Sequence, residues 1–277
     1  MLKAVFVTTL LLPWGFLSAP QPPSESFLIV AHRGASRDAP ENTLPAFELA
    51  WRRGADAIEG DFHLTKDGKI VCIHDRDTEK VAGKKLIVKE SRLAELRKLD
   101  VGSYRDIRFK GVVIPTIDEV FATVPPGKKI YVEVKCGVEI VPELLAAIQR
   151  SKLKQEQIIF ISFQDSVIQA IKARAPNYQA YWLSGFKRDD SGQISPSFKT
   201  VLKTLRETGA DGFSSSKDVI GPAFIKDIQQ AGFQYHVWTV DDAATAEKFV
   251  DWGAQSITTN VPGLIKKHFQ SRSVKQR

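Results

Sequence analysis

The chain has 277 residues, 43% of them hydrophobic and 26% charged, which supplies apolar material for a large core and excludes an intrinsically disordered protein. Its formal charge of +7 favours anionic ligands. Long Lys/Arg stripes with interleaved aromatics and zinc-finger spacings are absent, so no nucleic-acid partner is expected.

Taken along the chain, residues 1–19 read as an export signal. Lys3 gives a short positive region, Ala4 to Leu17 is apolar, and Ser18-Ala19 offers small residues for cleavage before Pro20. The run is interrupted by Pro13 and falls short of the roughly 20 residues a spanning helix needs. The expectation is an exported protein, periplasmic or secreted, with no stable membrane anchor. Residues 20–26, rich in Pro and Ser, read as a flexible leader.

Strand-like and helix-like segments then alternate. The predicted strands are Phe27–His32, Ala55–Asp61, Lys129–Lys135, Gln157–Ser162, Tyr178–Leu183, Ala210–Ser214, Phe233–Val240 and Ala254–Thr258. The predicted helices are Thr43–Arg53, Glu139–Ser151, Asp165–Ala175, Phe198–Thr208, Gly221–Gln230 and Asp242–Asp251, with Asn42-Thr43 offering an N-cap and Gly54, Gly209, Gly232 and Gly253 as stops. Eight strands with intervening helices predict an α/β fold of the (β/α)₈ TIM-barrel type over residues 27–265. A Rossmann fold would need a Gly-rich loop after an early strand, and His32-Arg33-Gly34-Ala35-Ser36 has a single glycine there.

The rhythm breaks after the second barrel strand. A strand-like Lys69–His74 behind an Asp67-Gly68 hairpin turn, a polar stretch, a helical Glu90–Leu99 and a short helix Ile117–Thr123 read as a small insertion, about residues 75–115, over the barrel mouth. Residues 266–277 form a basic C-terminal tail. Cys72 and Cys136, the only cysteines, read as free thiols without a dedicated activator.

Acids and imidazoles recur where the strand-like runs end, which is where barrel active sites form. Glu59 and Asp61 lie two apart on one strand and so share a face, and Glu133 closes the next barrel strand. Three carboxylates suit one hard divalent cation, Ca²⁺ or Mg²⁺. His32 and His74 are the candidate catalytic acid and base, since imidazole titrates near neutrality. Arg33 offers a planar donor fork for phosphate, and Lys135 can offset charge on phosphoryl oxygens. Glu41 is a neighbour that organises Arg33 or touches the metal, while Asn42 reads as the helix cap. Phe163 and Trp238 are candidate walls of the substrate pocket. His63 reads as peripheral, past the strand in a turn, and His236 as pocket or core. The combination points to metal-assisted cleavage of a phosphate ester.

At these residues the chain resembles the glycerophosphodiester phosphodiesterase family. The matching stretches are His32-Arg33-Gly34, Glu41-Asn42-Thr43, Gly54 to Asp61, Leu64 to Gly68, His74-Asp75, Val132 to Lys135 and the terminal Thr258-Thr259-Asn260 with Pro262. The resemblance implies a phosphodiesterase barrel with an insertion after its second strand. It also implies His32 and His74 as acid/base residues, Glu59, Asp61 and Glu133 as metal ligands, and Arg33 and Lys135 near the phosphate. Asn260 stands where the family often has an acid and is expected to be remote from the chemistry. The implied reaction is hydrolysis of a small soluble glycerophosphodiester to sn-glycerol 3-phosphate and an alcohol, by direct attack of water or through a cyclic phosphate. The alternatives are phospholipase D-like cleavage of lyso- or sphingophospholipids, and a non-catalytic phosphodiester-binding protein. The headgroup and the oligomeric state stay open.

Overall fold

The computed structural model describes residues 27–275; the predicted export signal and leader lie outside them. The elements in chain order are β1 (Leu28–His32), α1 (Leu44–Arg52), β2 (Ala57–Leu64), β3 (Ile70–Cys72), α2 (Glu79–Ala82), α3 (Leu93–Leu96), α4 (Ile117–Ala122), β4 (Lys129–Val134), α5 (Val141–Arg150), β5 (Ile158–Ser162), α6 (Asp165–Arg174) and β6 (Gln179–Ser184). They continue as β7 (Lys187–Arg188), β8 (Ile194–Ser195), α7 (Phe198–Thr208), β9 (Gly212–Ser216), α8 (Pro222–Gln230), β10 (Gln234–Trp238), α9 (Ala243–Asp251), β11 (Ser256–Thr259) and α10 (Pro262–Lys275). Eight strands pair in parallel in the order β1-β11-β10-β9-β6-β5-β4-β2, and a β1–β2 pairing closes the ring. This is the predicted (β/α)₈ barrel.

Because strand side chains alternate, each barrel strand sends every second residue inward. Val30, Ala57, Tyr131, Ile159, Ile161, Tyr181 and Leu183 form one buried cluster inside the ring. The opposite faces, such as Ile29, Ile58, Ile130 and Phe160, pack with Phe47, Leu144 and Ile168 of the surrounding helices into the main core. Burial on both faces is why these strands read as near-continuous apolar runs.

β2 starts two residues later than predicted and runs on to Leu64. Its last three residues pair antiparallel with β3 through Phe62↔Cys72 and Leu64↔Ile70, and beyond Phe62, still in register with Val134 of β4, the strand runs past the barrel. The segment predicted as a strand over Lys69–His74 is therefore a hairpin arm, turned at Gly68 with a φ of 71°. The following insertion carries its own small core of Val71, Ile73, Val81, Val88, Leu96, Leu99, Val101 and Ile114. The predicted helix over Glu90–Leu99 is one turn, α3, capped by the Glu95 carboxylate on Arg92 N. Past Leu99 the Asp100 carboxylate accepts from the backbone N–H groups of Gly102, Ser103 and Gly111, which folds the chain away from a helix. The β7–β8 hairpin was not predicted; it is short and polar, and Asp189 Oδ1 organises its turn by accepting from Ser191 N and Gln193 N. Residues 262–275 form a helix, so the basic tail begins inside α10, where Lys266 pairs with Asp56 at 3.0 Å. Asp56 Oδ2 in turn accepts from Ile29 N.

The turn after β1 positions the site. Arg33 and Gly34 both take left-handed φ values, 55° and 81°, and Ala35 N then bonds Ala46 O of α1 at 2.9 Å. A Cβ on Gly34 would lie 2.5 Å from the Ala46 carbonyl carbon. Gly34→Ala combines a strained φ with a backbone clash, and a loss of about 3 kcal/mol or more is expected in urea unfolding. A loss under about 1 kcal/mol would show that α1 yields without cost.

Candidate active site

The site is the outermost inward layer of the barrel. Two residues beyond Val30, Ala57, Tyr131, Ile159, Tyr181 and His236 come His32, Glu59, Glu133, Ile161, Leu183 and Trp238, and these line one cavity of about 160 Å³ with Arg33, His74, Lys135 and Phe163. The register explains the grouping: His32 lies beside Glu59 on β1 and β2, and Asp61 beside Glu133 on β2 and β4. Beneath them Tyr131, Tyr181 and His236 close the floor, with the His236 ring stacked on Tyr181 at 4.0 Å. His236 is thus core, and burial lowers it to about 3, so it stays neutral. Its Nδ1 bonds Ser256 Oγ at 2.8 Å.

Glu59, Asp61 and Glu133 are buried with ligand atoms within 4.8 Å of one another, and Glu59 Oε1 and Asp61 Oδ1 have no hydrogen-bond partner. Burial together with the neighbouring carboxylates pushes Glu59 well up and Glu133 to about 7. Asp61 differs: although burial opposes its ionisation, Arg33 and Lys135 hold it below the ordinary carboxylate value. Lys135 Nζ sits 2.7 Å from Glu133 Oε1 and 3.5 Å from Asp61 Oδ1. Two carboxyls that resist ionisation and two buried oxygens that accept no hydrogen bond fit a divalent cation, which would supply further positive charge.

Arg33 is held on three sides. Its backbone N–H donates to Glu59 Oε2 at 2.9 Å, its Nη1 donates to Glu41 at 3.1 Å, and its Nε lies 3.2 Å from Asp61 Oδ2, an ion pair whose angle is too poor for a hydrogen bond. Glu41 also takes Lys80 of the insertion at 3.0 Å. Glu41 therefore braces Arg33 and ties the insertion to the rim, and it is not one of the clustered carboxylates. Lys135 stands 5.7 Å from the centre of the Phe163 ring, and Phe163 packs edge-on against Trp238 at 5.5 Å. The two predicted wall residues thus form one aromatic corner.

Three expectations need correction. Asn42 is not the helix cap: Thr43 Oγ1 accepts from Ala46 N and caps α1. Asn42, at a φ of 59°, donates from Nδ2 to Asp61 Oδ2 at 2.7 Å and accepts from Asp61 N at 3.1 Å and Cys72 Sγ at 3.2 Å. It holds Asp61 at one carboxylate oxygen and at the backbone N–H. His63 does not lie past the strand in a turn: it is a β2 residue, buried, with Nε2 3.1 Å from His74 O. Burial lowers its pKa, so it acts as a neutral strut under the His74 loop.

Asn260 is not remote. Its Nδ2 and backbone N–H donate to Asp241 at 2.7 and 2.8 Å, which turns Oδ1 toward His32 Nδ1 at 2.8 Å. Ser36 Oγ donates to the same Oδ1. An amide oxygen only accepts, so His32 carries its proton on Nδ1 and keeps the Nε2 lone pair free. Burial first, and then the Arg33 charge, lower His32 to about 4. His74 is more open, with Nδ1 2.6 Å from Asp75 Oδ1. No sequence signal short of barrel closure couples residues 32 and 260. Cys72 and Cys136 are free thiols, both pushed up by burial and so poor nucleophiles.

Fold and site define a (β/α)₈ barrel enzyme with its polar cluster at the C-terminal mouth of the strands. Residues 32–264 match the glycerophosphoryl diester phosphodiesterase family, and the chain belongs to that family. It is 30% identical over 261 residues to a Bacillus subtilis glycerophosphodiester phosphodiesterase, covering 88% of this chain and 86% of the relative. It is 31% identical over 245 residues to one from Caldanaerobacter subterraneus, covering 86% and 96%. Among solved structures, an Oleispira antarctica phosphodiesterase in complex with the product sn-glycerol-3-phosphate superposes with a TM-score of 0.79 at 24% identity, covering 88% of this chain and 96% of that one. A glycerophosphodiester phosphodiesterase from Agrobacterium tumefaciens gives 0.72 at 25%, covering 87% and 99%.

Proposed function

We propose that this chain hydrolyses small soluble glycerophosphodiesters to sn-glycerol 3-phosphate and an alcohol, with His32 as general base and His74 as general acid. The observation that carries the assignment is the contrast between two imidazoles lining one cavity. His32 is buried, neutral and locked with a free Nε2, whereas His74 is more open and its Nδ1 lies 2.6 Å from the Asp75 carboxylate. Glu59, Asp61 and Glu133 would hold one divalent cation, Ca²⁺ or Mg²⁺. Bound there, the cation supplies positive charge to the phosphoryl oxygens. Arg33 and Lys135 add fixed positive charge on the same side. His32 takes the proton of the attacking oxygen, either water or the adjacent glycerol hydroxyl, and His74 gives one to the departing alkoxide. Phe163 and Trp238 shield that step from water along one wall.

Because Asn260 sets the His32 tautomer, Asn260→Ala is expected to lower turnover about tenfold or more. Asn260→Asp places a carboxylate on Nδ1, which raises the His32 pKa and moves the acidic limb of the kcat/KM profile to higher pH. A limb that stays put in Asn260→Asp would remove His32 as the base.

A panel of glycerophosphocholine, glycerophosphoethanolamine, glycerophosphoglycerol and lysophosphatidylcholine, with released products quantified, tests the substrate class. Turnover of the soluble diesters is expected. Preferred lysolipid cleavage would establish the phospholipase D-like alternative, and occupancy without product would establish a binding protein. No helix among the described residues is long and apolar enough to cross a membrane. We read residues 1–19 as an export signal, so the enzyme would meet its substrate in the periplasm or outside the cell; cell fractionation checks this, and a cytoplasmic protein with an intact N-terminus would refute it.

A further inference from the structure

Beside the catalytic cavity, and sharing Lys135 with it, lies a second depression of about 520 Å³ between the β2–β3 hairpin, the start of the insertion and the loop after β4. Lys66, Arg76 and Lys89 stand along it, and all three are exposed. None of them pairs with a carboxylate among the described residues, whereas Lys80, Lys85, Arg97 and Arg108 of the insertion each do. The single carboxylate lining the depression is Glu139, whose Oε1 is already taken by Gly137 N.

The backbone around these cations is fixed. Val88 N donates to Arg76 O at 3.0 Å and Lys66 N to Ser91 O at 3.0 Å, so hairpin and insertion are laced together beneath the side chains. Arg76 follows His74 by two residues, which places the cationic trough directly off the side of the cavity where the leaving alcohol would be protonated. A polar trough with three unpaired cations and one engaged carboxylate is a poor berth for choline or ethanolamine, whose positive charge it repels, and a good one for a second anion.

We infer that the trough is a headgroup subsite for alcohols bearing a second phosphate, so that the preferred diesters are those whose leaving group is itself anionic. The inference rests on the phosphodiesterase reading above and deepens it to a substrate class. The reaction is unchanged: water adds across the phosphorus–oxygen bond to the headgroup, and the second phosphate departs intact on the alcohol.

The test compares glycerophosphoinositol with glycerophosphoinositol 4-phosphate, which differ by one phosphate alone. The wild-type enzyme, loaded with its divalent cation, is expected to show a KM about tenfold lower for the phosphorylated diester. Salt at roughly 0.5 M should erase most of that difference, because exposed charges are screened at that strength. In the triple variant Lys66→Gln, Arg76→Gln, Lys89→Gln the ratio of the two KM values should fall to near unity, and a thermal melt matching wild type shows that the fold is kept. Equal KM values in the wild type, or a preference that survives the triple variant, would overturn the subsite. Absence of hydrolysis of both diesters would overturn the phosphodiesterase reading itself, and this inference with it.

Discussion

Hydrolysis is expected to disappear when divalent metal is stripped by a chelator and to return on adding back Ca²⁺ or Mg²⁺. Without a cation Glu59 and Glu133 are raised, burial being the larger cause and the neighbouring carboxylates the next. The protein therefore holds protons there that a cation must displace. The sign follows: a carboxyl whose folded value lies above its unfolded one contributes stability at low pH that is lost as pH rises through the folded value. For Glu133 that window runs from the ordinary carboxyl value of 4.5 to about 7. Metal-free protein should lose melting temperature across it, and metal-loaded protein should not. Apparent metal affinity, read by isothermal titration, should climb over the same range. Full activity in rigorously metal-free protein, or a melting temperature independent of pH from 4.5 to 7, would dismiss the metal assignment.

The second large effect separates proton transfer from metal binding. His32→Ala and His74→Ala are each expected to lose about 10²–10⁴-fold in turnover while binding metal nearly as wild type does, because neither imidazole belongs to the carboxylate cluster. Asp61→Ala should instead weaken metal binding directly and also remove one of the two ion pairs that hold Arg33, at 3.2 Å, leaving the one to Glu41. Combining the two histidine changes should cost little more than the worse single change if both act in one concerted step. Wild-type turnover across the pH profile in either histidine variant would withdraw that residue from the mechanism.

The amino-acid sequence by itself determined the alternation of strands and helices, the barrel, and which acids and imidazoles the fold gathers at the candidate site. Each is a local property. Runs such as Ile29-Val30-Ala31 and Ile130-Tyr131-Val132 are buried on both faces, and catalytic side chains at strand ends fall at one mouth of any such barrel. Signals that compete over a few residues were less legible. The predicted helix over Glu90–Leu99 shrank to one turn because Asp100 draws three backbone N–H groups to itself. By contrast, the strand expected over Lys69–His74 behind its Asp67-Gly68 turn is present as β3, the second arm of a hairpin with the end of β2.

Only the tertiary structure decided which polar side chains hold the reactive ones. Asn42 looks like a cap in sequence, and it clamps Asp61 because its left-handed backbone points the amide across to β2. His63 looks like a turn residue, and it supports His74 because β2 outruns the barrel. Asn260 looked peripheral, and it sets the His32 tautomer because β11 closes the ring against β1. An amide or imidazole carries no mark of its partner in the chain. The partner is chosen by strand register and ring closure, which bring together residues that the sequence keeps far apart.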